Sequence, residues 1–159
     1  MNIEELIDRY GGEILRLCLL YLGDRQLAED AFQETFTKAW KQQASFRGES
    51  SVKTWLSRIA VNTCRDMLRR GWFRMMKKSE PIEDLFALSA PQAEERTDVR
   101  DAVLALPGKY REAIVLYYDQ EMTLKEIAEA TGIPVNSVST RLRRARALLK
   151  KALGEEVDA

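Results

Sequence analysis

The residues equipped for chemistry in this chain are arginines, small hydroxyls and aromatic rings, set at helical spacing. Thr54, Arg58, Asn62, Arg65 and Arg69 follow one another at intervals of four, four, three and four, which puts all five on one helix stripe. Trp55 lies beside the start of that stripe. The stretch leading into it, SFRGESSVKTW over residues 45–55, carries a second aromatic, Phe46, and a polar turn with Arg47, Gly48, Glu49, Ser50, Ser51 and Lys53. Rings of this kind stack on unpaired bases while guanidinium groups hold the backbone, each stacked base contributing roughly 1–3 kcal/mol. A polar loop can also hold an extruded base by its Watson–Crick edge. Phe46 and Trp55, taken singly, serve equally well as filler in a three-helix core.

A second set lies in TLKEIAEATGIPVNSVSTRLRRARALLKK, residues 123–151. Thr123 and Glu126 have the spacing of a capping box, which starts a helix. Gly132 can take the positive φ that ends it, and Pro134 suits the first turn of the next. On that second helix Val135, Val138, Leu142, Ala145 and Leu149 form a buried seam. The opposite face carries Asn136, Ser137, Ser139, Thr140, Arg141, Arg143 and Arg144. From Val135 to Lys151 there are six Lys/Arg and no Asp or Glu, whereas a helix that is only soluble mixes signs. This is a helix-turn-helix pattern with a second helix suited to a DNA major groove. The plain alternative is an amphipathic hairpin with a solvated basic face.

What is missing narrows the chemistry further. Among 159 residues there is no histidine, and no phosphate-binding glycine loop or catalytic carboxylate pair is found. We expect no enzyme activity, no cofactor, no metal and no small-molecule substrate. The two cysteines, Cys18 and Cys64, lie far apart in sequence on apolar faces, as buried free thiols of a reducing cytoplasm do. The most apolar run, Ile14 to Leu22, is too short to span a bilayer and contains Arg16, so no membrane insertion is expected.

The elements that position these residues read as helices throughout. Residues 2–22 place Ile3, Leu6, Ile7, Tyr10, Ile14, Leu17, Cys18 and Tyr21 on one stripe. Gly23 ends that helix and Asp24 caps the next, whose Ala28, Ala31, Phe32, Thr35, Phe36, Ala39 and Trp40 point inward. Asp30, Gln33, Glu34 and Thr37 line another face of it. The third helix buries Val52, Leu56, Ile59, Ala60, Cys64, Met67 and Leu68. Residues 71–98 change character, with prolines, serines and many acids, and read as a flexible linker. At roughly 3.3 Å per residue it reaches about 90 Å when extended. Helix resumes over 93–105 with Val99, Ala102, Val103 and Leu106 inward. Residues 109–119 add Tyr110, Ala113, Ile114 and Tyr117 to the small core of the helix-turn-helix.

The net charge of zero hides segregation. Residues 1–34 hold eight acids against three bases, and residues 65–78 hold six bases against one acid. Two basic patches separated by acidic surface predict contacts with nucleic acid and with a protein partner at different places.

The succession AEDAFQETFTKAW, FRGESSVKTWLSRIAVNTCRDMLRR and LPGKYREAIVLYYDQEMTLKEIAEATGIPVNSVSTRLRRAR resembles the extracytoplasmic-function group of bacterial sigma factors, from about residue 1 to 151. The resemblance implies an all-α protein of two small helical domains. These are a three-to-four-helix promoter-melting domain over 1–72, a linker over 73–92 and a four-helix domain with the helix-turn-helix over 93–153. It implies a subunit of core RNA polymerase that reads the −10 promoter element as melted strand and the −35 element as duplex. Docking on the β′ clamp helices falls to Asp30, Gln33, Glu34, Phe36 and Trp40, with a further contact to the β flap. Contact with −10 DNA falls to Phe46, Arg47, Gly48, Glu49, Ser50, Ser51, Lys53, Thr54, Trp55, Arg58, Asn62, Arg65 and Arg69. Contact with −35 DNA falls to Ser137, Ser139, Thr140, Arg141, Arg143 and Arg144. An anti-sigma factor is a further implied partner. The chain departs from relatives at Asn136-Ser137, where Gly-Thr is frequent, and at Ser139, where a basic residue is frequent. In similar factors the linker threads toward the RNA exit path, and the acidic composition here fits mimicry of RNA charge. A stand-alone helix-turn-helix regulator is the alternative, and it would need a dimer interface or effector pocket in the first half in place of an acidic docking helix.

Overall fold

A computed structural model of the chain describes residues 2–76 and 98–154. Three helices make the N-terminal half: α1 over Ile3–Leu22, α2 over Arg25–Gln42 and α3 over Val52–Met76. Four make the C-terminal half: α4 over Asp98–Leu104, α5 over Gly108–Ile114, α6 over Leu124–Thr131 and α7 over Val135–Ala152. No strand occurs among the described residues. The helical reading of 73–76, as the end of α3, takes the first residues expected of the linker. The remainder of the expected linker, and residues 93–97, lie outside the described residues.

Local chemistry sets the helix ends. Asn2 accepts from the Glu4 N–H at 2.9 Å, and Asp24 accepts from the Leu27 N–H at 2.9 Å. Gly23 takes φ 71° and returns its N–H to the Leu19 carbonyl at 2.9 Å, a conformation that costs a glycine no Cβ clash. The capping box at α6 is complete. Glu126 N–H donates to Thr123 Oγ1 at 3.1 Å, and Thr123 N–H donates to Glu126 Oε1 at 2.9 Å. Pro134 sits just ahead of α7, with φ −63° already set for the helix entry.

α5 runs on into a π turn over Val115–Asp119, closed by the Gln120 N–H on the Val115 carbonyl at 3.1 Å. Helical periodicity did not signal this widening. It places Asp119 and Gln120 against α1. Arg16 Nε donates to Asp119 Oδ1 at 2.6 Å, and Gln120 Nε2 donates to the Glu13 carbonyl at 3.1 Å.

The apolar interior differs from the expected pair of separate cores. One continuous cluster runs from Leu6, Ile14, Leu17 and Leu22 on α1, through Ala28, Phe36, Leu56, Val61 and Leu68, to Ile114, Leu116, Ile127 and Leu142. α3 is the reason, since it packs on α1 and α2 and also on α6. It therefore buries Ser57, Val61 and Thr63 in addition to its expected seam. The periodic stripes fail at their ends. Ile7, Trp40, Val99 and Val135 were all assigned inward and are all exposed, because each sits at the edge of its stripe, beyond the cover of the described elements. In α4, Leu104 takes the buried position expected of Val99.

Thr123→Ala removes one half of the capping box and is expected to lower the unfolding free energy by about 1 kcal/mol in urea at neutral pH. The backbone N–H of Thr123 is the largest influence on the Glu126 carboxyl and holds it below its ordinary value despite some burial. That contribution is complete above the unfolded carboxyl pKa and is lost as pH falls through the lower folded one. Glu126→Gln is accordingly expected to destabilise at neutral pH, with the difference from the parent narrowing in acid.

Candidate nucleic-acid interface

The loop from Phe46 to Ser51 joins a short 3-10 turn, Gln43–Ser45, to the start of α3. Gly48 turns it at φ 74°. Ser51 caps α3 by accepting from the Thr54 N–H at 3.0 Å and donating to Thr54 Oγ1 at 2.9 Å. The two aromatics that sequence left ambiguous pair with each other. The Phe46 and Trp55 ring centroids are 5.0 Å apart at 43°, and both rings are half-buried. They line an open cavity of about 570 Å³ together with Gln42, Ser45, Arg47, Glu49, Ser50, Arg58, Ile59 and Asn62. Seven expected −10 residues thus meet in one concavity, and Gln42, Ser45 and Ile59 join them from positions the spacing did not flag. Polar groups over an apolar floor of two rings and Ile59 suit a flat heterocycle with hydrogen-bonding edges.

The arginine stripe divides. Arg58, Asn62 and Arg69 are exposed, and Arg69 lies 3.9 Å from Asp66, a long contact. Arg65 and Thr54 are engaged by the C-terminal half. Arg65 donates from Nε to Glu112 Oε2 at 2.8 Å, from Nη2 to Glu112 Oε1 at 2.7 Å, and from Nη1 to the Thr131 carbonyl at 3.1 Å. Thr54 Oγ1 donates to Glu126 Oε2 at 3.0 Å and is buried. Lys53 Nζ donates to the Gln120 carbonyl at 2.8 Å and lies 3.5 Å from Glu13. Burial opposes the charge of Arg65, but the hydrogen bonds and charge of Glu112 outweigh it and raise its pKa.

Glu112 is only 3% exposed and also accepts from the Tyr21 hydroxyl at 2.5 Å. Burial first, then the Glu112 charge and hydrogen bond, push the Tyr21 phenol well above its ordinary pKa, so the hydroxyl stays a donor. Beside it Arg111, with no exposed surface, donates to the Tyr21 carbonyl at 2.7 Å and to the Leu104 carbonyl. Burial lowers the Arg111 guanidinium to about 10, which leaves it charged at neutral pH. Sequence reading assigned no role to Tyr21, Arg111, Glu112 or Glu126 in joining the halves. The available signal was the apolar run Ala113–Leu116, which is buried along its whole length. A helix buried on all sides forces its polar residues to find partners.

The face of α7 stays open. Ser139, Arg143 and Arg144 are exposed, while Ser137, Thr140 and Arg141 are half-buried. Thr140 Oγ1 donates back to the Asn136 carbonyl at 3.0 Å. The buried side of α7, with Val138, Leu142, Ala145 and Leu149, fixes the rotation that points the arginines outward.

On α2, Asp30 and Gln33 are exposed and Glu34 is half-buried, 3.7 Å from both Lys38 and Arg70. Trp40 is 56% exposed. Phe36, expected among the docking residues, is 4% exposed and packs on Phe32 with ring centroids 5.0 Å apart, so it belongs to the core beneath that face. Its position one turn before Trp40 put both on one sequence stripe, but only the first is buried.

Comparison with known proteins matches residues 6–74 to Sigma-70 region 2 and residues 96–149 to Sigma-70 region 4. The sigma factor SigW of Bacillus subtilis is 34% identical, over 94% of this chain and 87% of its own. The chain belongs to the extracytoplasmic-function sigma factors of the sigma-70 family. YlaC of Bacillus subtilis is 35% identical over 94% of this chain and 91% of its own. Among solved structures, the sigma factor RpoE of Bartonella quintana, bound to the anti-sigma factor NepR, has the same fold. It has a TM-score of 0.77 at 23% identity, covering 97% of each chain. CnrH in complex with the cytosolic domain of CnrY gives 0.70 at 27% identity, over 98% of this chain and 89% of that one. A sigma factor of this group directs promoter-specific transcription with RNA polymerase and is a regulatory subunit without catalytic chemistry of its own. No described helix is long and apolar enough to cross a membrane.

Phe36→Ala is expected to cost about 3–5 kcal/mol of unfolding free energy, as for a buried ring. Trp40→Ala is expected to stay within about 0.5 kcal/mol of the parent, as for an exposed position. Chemical denaturation of the two variants side by side measures this, and equal losses would return Trp40 to the core.

Proposed function

We propose that this sigma factor reads a promoter at two places by two different physical means. α7 enters the major groove of the duplex −35 element, with Ser137, Ser139, Thr140, Arg141, Arg143 and Arg144 at the base edges and phosphates. The loop and the first part of α3 hold the melted −10 strand, with an extruded base in the cavity beside Phe46 and Trp55. Arg58, Asn62 and Arg69 track the adjoining backbone, joined by Lys53, Thr54 and Arg65 once these leave their contacts with the C-terminal half. Asp30, Gln33, Glu34 and Trp40 dock on the β′ clamp helices, and the C-terminal half meets the β flap.

The observation that carries this reading is the cavity of about 570 Å³, where paired aromatics, two arginines, Glu49, Ser50 and Asn62 converge within the region 2 match. A helix-turn-helix regulator that never opens the duplex has no use for such a cavity. RpoE is solved with the anti-sigma factor NepR and CnrH with the cytosolic domain of CnrY, which supports a protein partner of this kind for this chain.

The test uses reconstituted holoenzyme on a promoter chosen by selection of bound fragments. Trp55→Ala is expected to leave duplex −35 binding unchanged and to reduce melting, read as 2-aminopurine fluorescence at the −10 element. Normal melting would confine Trp55 to a packing role. Arg144→Ala is expected to weaken −35 binding by about 1–3 kcal/mol on the selected sequence if it reads a guanine edge. An equal loss on every sequence would assign Arg144 to phosphate.

A further inference from the structure

Arg146 lies on α7 but outside the residues assigned above to −35 DNA. Ser139, Arg143, Arg146 and Lys150 follow one another at intervals of four, three and four, so Arg146 extends one edge of the basic face toward the end of the helix. The π turn holds its guanidinium. Arg146 Nε donates to the Tyr118 hydroxyl at 2.7 Å, and the guanidinium carbon stands 5.4 Å from the Tyr117 ring centroid and 5.6 Å from that of Tyr118. The two rings meet edge-on, with centroids 4.9 Å apart at 81°. Among the described residues no carboxylate pairs with Arg146, and the neighbouring Asp119 is engaged by Arg16 and Gln120.

The direction of this guanidinium is fixed while its charge is unspent. Stacked against aromatic faces, a guanidinium keeps its N–H donors in the plane of the fork. Here Nε has an acceptor among the described residues, and the two Nη groups remain for a ligand. The Tyr118 hydroxyl accepts from Nε and keeps its own proton to donate. Tyr118 is 50% exposed, so an incoming group can reach that proton. Bracing α7 on the rings would need only an apolar side chain at 146, without the cost of half-burying a charge that has no counterion. Arg146 lies seven residues beyond Ser139, about 10 Å along the axis at roughly 1.5 Å per residue. The major groove is about 12 Å wide, so a helix with Ser139 over base edges brings Arg146 to the sugar–phosphate strand that bounds the groove.

We infer that Tyr118 and Arg146 form a phosphate site for the strand flanking the −35 element, the Arg146 Nη groups and the Tyr118 hydroxyl donating to one phosphodiester. The inference rests on the reading of α7 as the duplex-binding helix. The site adds affinity and register without sequence preference, because every nucleotide presents the same phosphate. It also gives the π turn a purpose, since that turn carries both rings to α7.

Holoenzyme reconstituted with each full-length variant is titrated with a fluorescent duplex carrying the selected −35 element, over a series of salt concentrations. Arg146→Ala is expected to weaken binding about tenfold, as for a charged hydrogen bond. It is also expected to lower the slope of log affinity against log salt by about 1, as for one lost phosphate contact. Tyr118→Phe keeps both rings and the charge, so it remains informative where Arg146→Ala does not fold. It is expected to weaken binding about three- to tenfold with the salt slope unchanged. Both losses are expected to be equal on the selected and on a scrambled −35 sequence. A neutral methylphosphonate moved along the flanking strand is expected to weaken the parent at one position and to cost Arg146→Ala nothing further there. Arg144→Ala is measured beside them. If it weakens binding while Tyr118→Phe and Arg146→Ala bind like the parent, the phosphate site is overturned and the reading of α7 stands. If Arg144→Ala also binds like the parent, that reading fails and the phosphate site with it. A loss in Arg146→Ala with the parental salt slope and no sensitive methylphosphonate position is lost bracing of α7, and it overturns the inference.

Discussion

Glu112 is buried where the two halves meet, with both oxygens committed, to Arg65 on one side and to Tyr21 on the other. A carboxylate taken this far out of water is tolerated only when charge and hydrogen bonds replace its hydration. Arg65 supplies the charge, and the Tyr21 hydroxyl supplies a further donor. Arg111 meets the same constraint by different means, spending its guanidinium on the carbonyls of Tyr21 and Leu104. The junction of the two halves is therefore defined by polar geometry as well as by apolar area. An apolar contact tolerates sliding, whereas a bidentate pair has one register.

That register decides what the rest of the surface offers. With α6 drawn against α3, the first and fourth residues of the arginine stripe face inward and the others face out. The aromatic cavity survives at the edge of the contact, because its walls come from the loop and from the outer side of α3. α7 packs within its own half and turns its basic face away. On the proposed reading, three surfaces serve polymerase, duplex and melted strand, and this arrangement leaves them unequally accessible. The faces of α2 and α7 proposed for polymerase and duplex are open, while two residues of the stripe proposed for the melted strand, Thr54 and Arg65, are engaged by the C-terminal half.

The helix ends were readable in the residues because they depend on neighbours within one turn. Asp24, Gly23 and the Thr123–Glu126 box act as their side-chain chemistry requires. Interior positions of each stripe were readable for a similar reason, since Leu17, Leu56, Ile127 and Leu142 sit where any partner must cover them. Positions at stripe margins were not. Phe36 and Trp40 are one turn apart and both apolar, and the packing around α2 buries the first and leaves the second to solvent. The π turn after Ile114 was invisible to a periodicity argument because it changes the phase of the helix for a single turn.

By itself the sequence determined an all-helical chain, the order of its elements, the basic face of α7 and the aromatic loop ahead of α3. Each of these follows from local spacing and side-chain type. Tertiary structure alone decided that the two halves share one core and that Phe46 and Trp55 pack against each other at a tilt. It also decided that Arg65 is held by Glu112, a residue 47 positions further along the chain. A charge pattern records which residues can bind an anion. Which anion they hold depends on what the fold brings within about 3 Å, the range of a hydrogen bond.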